Sequence, residues 1–117
     1  MRKIQFGNEI VLKNERSNGK VVLRYYLLET PVGFGYGQLK SYGIGITRTD
    51  KIYGKPDISE CKQIEGILFD IEEALYYIGK IKKEKVLPTQ LSNTLESLID
   101  ERVKMQRELY LKEARVN

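Results

Sequence analysis

Hydrophobic positions along the chain follow two different periods, and the change falls near residue 68. Before it, apolar side chains alternate with polar ones or run in short blocks between turn formers, and all but one of the ten glycines lie there. This is a strand pattern. Ile10, Val11 and Leu12 lead through Ser17, Asn18 and Gly19 into an apolar run at residues 21–28. Asn-Gly tolerates the positive φ of a tight turn, so the spacing predicts a hairpin. Val21, Leu23, Tyr25 and Leu27 alternate with Val22, Arg24, Tyr26 and Leu28. Both faces of this strand are largely apolar, which places it in the middle of a sheet, with Pro31 ending it. Another strand is predicted at residues 42–47, with Tyr42, Ile44 and Ile46 on one face. Gly43 and Gly45 fall on the other, where a helix or an aromatic ring could approach closely. A short strand is expected at residues 60–67, and residues 49–59, carrying Gly54 and Pro56, read as the loop before it.

From Asp70 onward the period becomes 3.6. Asp70 is placed as an N-cap with Glu73 three residues later, resembling a capping box, and Glu72 and Glu73 suit the positive end of a helix dipole. Leu68, Ile71, Ala74, Leu75, Ile78 and Ile81 share one side of the projected helix, while Tyr76 and Lys80 do not. Pro88 fits the first position of a second helix. Its stripe runs Leu91, Leu95, Leu98, Arg102, Met105, Leu109, Lys112, Val116, in the alternating steps of a coiled-coil seam with charges at two seam positions. The first half reads as packed and the second as surplus. A helix to about residue 114 would be on the order of 40 Å long, more than so small a domain can cover. The expected organisation is a single α+β domain over residues 1–103 with a helical extension over residues 104–117.

Composition narrows the chemistry. The chain of 117 residues has 20 Lys and Arg against 16 Asp and Glu, a net charge of +4, and no His. Without imidazole there is no Ser-His, Cys-His or His-ligated metal chemistry. One cysteine, Cys61, closes no internal disulfide and reads as a small apolar residue. Together with the absence of a secretory signal pattern, it points to a reducing, cytoplasmic setting. The longest charge-free stretches are ten residues, well short of the roughly 18 a membrane-spanning helix needs. Neither paired carboxylates nor metal-ligand spacings stand out, so no catalytic residue, cofactor or metal is expected.

Two local features are candidate binding sites. In the Gly-rich stretch at residues 32–39, Phe34 and Tyr36 would share a strand face, as the base-stacking rings of RNA-recognition strands do. The motif's leading basic residue is replaced by Val32 and its last aromatic by Leu39, so two rings covering a core, or touching a protein, is the plainer reading. Lys80, Lys82 and Lys83, with Lys85, form a cluster between the helices that a phosphate could use. Their position at a helix C-terminus explains them without a ligand. Eight tyrosines without a tryptophan suit interfaces mildly, with Tyr53, Tyr76 and Tyr110 least committed to a core.

The segments Tyr25-Tyr26-Leu27-Leu28 and Tyr42-Gly43-Ile44-Gly45-Ile46, followed by a helix and the helix start at residues 88–91, resemble a small uncharacterised domain family of clostridial and related Firmicutes proteins. The resemblance covers about residues 21–101. It implies a bacterial, cytoplasmic origin and no particular activity.

The resulting expectation is an α+β fold. A three- to five-stranded, mainly antiparallel sheet comes first, and two helices pack on one of its faces. The expected function is a non-enzymatic protein-binding or regulatory module of a bacterial or phage protein. Its partner, another protein or a second copy, would meet the C-terminal helix at Met105 and Leu109. Single-stranded nucleic-acid binding through Phe34, Tyr36 and the lysines is the alternative.

Overall fold

In a computed structural model, which describes residues 1–14, 18–33 and 39–115, the apolar run at 21–28 sits inside a long strand with neighbours on both sides. This strand, β3 (Gly19–Val32), pairs on one edge with β1 (Arg2–Gln5) and β2 (Ile10–Asn14), and on the other with β4 (Leu39–Ile52). β4 pairs in turn with β5 (Ile58–Leu68). Every pairing is antiparallel. Two helices follow the sheet, α1 (Ile71–Lys83) and α2 (Leu91–Arg115), the second entered through a 3₁₀ turn at Pro88–Gln90. The architecture is α+β, as the order of periodicities predicts.

The strands are longer than their apolar runs. β3 passes through Pro31 to Val32 instead of ending at it. Pro31 faces Lys40 of β4, beyond the last β1 pair at Glu29, so its missing N–H has no ladder to break on the outer side. β4 covers residues 39–52 and β5 begins at Ile58, which turns most of the expected loop at 49–59 into paired strand. Thr49 lies opposite Ser59, their hydroxyls 3.2 Å apart. Polar side chains at these positions hid the strand, since the ladder is made by backbone groups that any residue supplies. β1, which apolar patterning alone does not mark, lies end to end with β2 along the same edge of β3, and residues 6–9 bulge between them. Ser17 lies outside the described residues, while Asn18 and Gly19 enter β3 at the expected hairpin.

Among the described residues, the atoms nearest to Gly43 and Gly45 belong to neither a helix nor a ring. The register of β4 against β5 shifts between Tyr42 and Ile44, and the bulged backbone at Ile64 and Glu65 occupies the space a Gly43 side chain would need. Gly45 leaves room for Leu28, which folds down onto the sheet and is buried although no helix covers that face.

One face of the sheet carries the core. Val21, Leu23, Tyr25 and Leu27 of β3 and Ile44 and Ile46 of β4 pack against Ala74, Tyr77, Ile78 and Ile81 of α1 and Leu91 and Leu95 of α2. The helical stripe is rotated from its expected position: Tyr77 is fully buried, whereas Ile71 and Leu75 are 44% and 40% exposed. Asp70 caps α1, its Oδ1 accepting from the Glu72 N–H at 2.9 Å. Glu73 does not complete a capping box; its Oε1 accepts from the Tyr77 hydroxyl at 3.2 Å. The end of α1 is a Schellman motif, with Val86 N–H donating to the Ile81 carbonyl and Lys85 N–H to the Lys82 carbonyl. Its left-handed position, usually glycine, is Lys85 at φ 54°.

Tyr25 ties the layers together. Its hydroxyl donates to the Val86 carbonyl at 2.9 Å in the connection between the helices, and burial pushes its pKa up to about 12. Tyr25→Phe leaves that carbonyl without its partner and is expected to cost about 1–2 kcal/mol in urea unfolding. Because the folded-state pKa lies above the ordinary value of 10.0, the contribution of Tyr25 is complete below pH 10 and fades as pH rises toward 12. The Phe variant should therefore lose stability less steeply than the parent over that window. Lys85→Gly relieves a left-handed side chain and is expected to add about 0.5–1 kcal/mol, read by the same measurement.

Candidate protein-docking surface

The seam of α2 divides at Arg102. Leu91 and Leu95 are buried and Leu98 half-buried, while every described side chain beyond Arg102 is exposed, Met105 at 62% and Leu109 at 60%. A charge at this seam position is accommodated by aromatic rings. The Arg102 guanidinium lies 5.0 Å from the centroid of Tyr76 and 5.8 Å from that of Tyr77. The two rings meet edge to face at 5.5 Å. Burial is also the main cause that raises the Tyr77 pKa, followed by the neighbouring Glu73 carboxylate. Arg102 thus closes the contact between the helices, and past it α2 leaves the body. The elongation fits: the radius of gyration is 17.9 Å, against about 13 Å for a compact chain of this length.

Met105 and Leu109 line an open groove of 290 Å³ whose floor includes Leu98 and whose other wall is Tyr76. Tyr76 falls off the helical stripe that sequence patterning assigns to the core. Its place here follows from being next to buried Tyr77, at the α1 surface that α2 crosses. A second groove of 210 Å³ runs between β5 and α2, lined by Ile64, Ile67, Leu95 and Ile99. Tyr53 and Tyr110 are exposed, as their positions suggest.

The lysines of the cluster face different surroundings. Lys82 turns back to the sheet, where its Nζ donates to the carbonyls of Phe6 at 3.0 Å and Asn8 at 2.7 Å, with the Phe6 ring centroid 5.8 Å away. These carbonyls belong to the bulge between β1 and β2. Gly7 stands between them at φ 69°, and a side chain there would collide with the Lys82 ammonium. Arg24 holds the same bulge from the other side through Glu9, 2.7 Å away. Lys80 lies 5.6 Å from the Tyr76 ring centroid, and Lys83 is exposed. Phe34 and Tyr36 lie outside the described residues.

Cys61 is exposed on β5. Among the described residues, no group of three or more carboxylates and cysteines is placed to hold a metal ion, and no helix is long and apolar enough to cross a membrane.

Lys82→Met keeps the aliphatic stem but loses two charge-assisted hydrogen bonds, so it is expected to destabilise the fold by about 1–2 kcal/mol. Hydrogen exchange should show the loss at residues 5–10. A phosphate role would instead appear as weaker oligonucleotide binding at unchanged stability.

No curated protein and no solved structure matches the chain. The pattern of one family matches residues 5–101, which reaches back beyond Val21 to include most of the β1–β2 edge and ends beside Arg102, where α2 leaves the body. The chain belongs to that family, a family of unknown function (DUF6514).

Proposed function

We propose that this chain is a non-enzymatic protein-binding module that regulates or adapts another protein in the bacterial or phage-infected cytoplasm. Its contact surface is the exposed half of α2 together with Tyr76. The carrying observation is the uncovered continuation of a core seam, with Met105 and Leu109 solvent-facing along a helix that extends past the family-matched residues. An apolar i, i+4 pair beside a groove is the arrangement that receives an amphipathic helix. Residues 102–115 carry five basic side chains against two acidic ones, so the fitting partner helix has an acidic rim. A single exposed thiol suits a reducing compartment.

The test compares the full chain with a truncation to residues 1–102 and with Leu109→Glu, each used to capture proteins from the native host. Since none of the described side chains removed is buried, both variants should unfold within about 1 kcal/mol of the parent. Proteins held by the full chain should be absent from both variants. Capture of the same proteins by residues 1–102 places the binding surface elsewhere.

A further inference from the structure

We propose that β5 pairs with β5 of a second copy of this chain, antiparallel about Cys61, so that one sheet continues through a symmetric dimer. β5 is an edge strand, and it is exposed from Ile58 through Gln63. The direction of its free backbone groups follows from the ladder. Phe6 N–H donates to the Tyr25 carbonyl at 2.7 Å, so Tyr25 turns its backbone groups toward the β1 side. N–H and C=O of a strand residue leave on the same side, and the side alternates along the strand. Ile46, opposite Tyr25, therefore bonds toward β5 at Lys62, and the even-numbered residues of β5 are engaged by β4. Ser59, Cys61 and Gln63 turn their N–H and C=O outward, and no described strand meets them.

The side chains select one register for a partner strand. Two-fold pairing centred on Cys61 sets Glu60 opposite Lys62 of the second copy, and Lys62 opposite its Glu60. Ile58 then lies opposite Ile64 of the second copy. A slip by two residues in one direction places Lys62 on Lys62, and in the other Glu60 on Glu60. Parallel in-register pairing makes both like-charge contacts at once. A slip by one sets the helix-covered face of one copy against the open face of the other. Opposite charges facing each other across strands stabilise pairing, and like charges oppose it. Alternating signs at Glu60 and Lys62 therefore choose a register where uniform charge would only repel.

The apolar positions agree. Ile58 is 65% exposed and has its side chain on the same sheet face as Ile64, at the mouth of the groove between β5 and α2. In the dimer each Ile58 covers the other copy's Ile64. Gly66, at φ 65°, and the shifted register near Leu68 end the regular stretch, which confines pairing to residues 58–64. The opposite edge of the sheet offers no such run, because the bulge at residues 6–9 interrupts it. A strand pair this short buries less than the roughly 1,600 Å² of a standard interface, so a dissociation constant in the micromolar range is expected.

Sedimentation equilibrium of the full chain from about 1 µM to several hundred µM should show a mass rising from 13.6 kDa toward twice that value. Glu60→Lys and Lys62→Glu each replace both attractive contacts with like-charge contacts and should weaken association about tenfold or more. The double variant restores opposite charges and should dimerise like the parent. As a readout independent of any variant's folding, diamide should link Cys61 to Cys61 of the second copy. The two thiols give up two protons and two electrons to form the disulfide, and the reagent is reduced to its hydrazine. A hydrogen-bonded antiparallel pair sets its Cα atoms about 5.5 Å apart, within disulfide reach. The proposal is overturned by a chain that stays monomeric and unlinked over this range, by single variants that associate as tightly as the parent, or by a double variant as weak as the singles. It is also overturned if association is lost on truncation to residues 1–102, since that would place the contact on α2.

Discussion

The structure depends on one strand that supplies the helix-covered face of its sheet while remaining central in it. β3 sends its odd-numbered side chains into the helices, and Tyr25 is the largest fully buried member of that set. Burying a phenol requires a partner for its hydroxyl. The Val86 carbonyl supplies it, in the segment that must stop α1 and redirect the chain into α2. The Schellman turn that exposes this carbonyl to Tyr25 also sets Lys85 in a left-handed conformation. A single hydrogen bond thus fixes the register of the sheet against the helix connection, and the strained lysine is tolerated because Ile81 and Val86 are both buried beside it.

The fold class, the central place of β3, the cap at Asp70 and the packed half of α2 were legible because each rests on a local signal. These signals were apolar alternation, a capping side chain and a 3.6-residue stripe. What escaped depended on pairing at a distance. Thr49 and Ser59 look like loop residues until the ladder joins them, and Gly43 has meaning only against a bulge some twenty residues away in β5. Tyr77 entered the core in place of Ile71 and Leu75 because it can bury its ring while Glu73 accepts from its hydroxyl, a contact that hydrophobic projection does not count. Of the candidate site, Met105 and Leu109 were readable as a seam with nothing to pack on. Tyr76 was readable as a tyrosine uncommitted to the core, but its place as the neighbouring wall was not, since it is contributed by the other helix.

Lys82 shows why a charge cluster is weak evidence for a ligand. Four lysines within six positions suggest a phosphate patch, but a helix end next to an irregular strand edge presents carbonyl groups that need donors. Residues 6–9 leave such carbonyls where β1 gives way to β2, and Lys82 has the reach to satisfy two of them. The same contact accounts for Gly7, whose missing side chain makes room for the ammonium group. The bulge, the glycine and the lysine form one device, and its consequence is an edge that cannot serve as a template for another strand.

That asymmetry between the edges connects the two proposed surfaces. With one edge blocked and the other open and self-complementary in charge, strand addition ends at two copies, because a dimer joined through β5 presents only bulged edges. Pairing confined to residues 58–64 leaves residues 102–115 unoccupied in each copy, so a dimer would carry two basic helices. A partner offering two acidic helices could engage both. The second contact would then form at the effective concentration set by the dimer's geometry, raising avidity without any new contact. Weak pairing at β5 is sufficient for this arrangement, since each partner bound across both copies also holds the copies together.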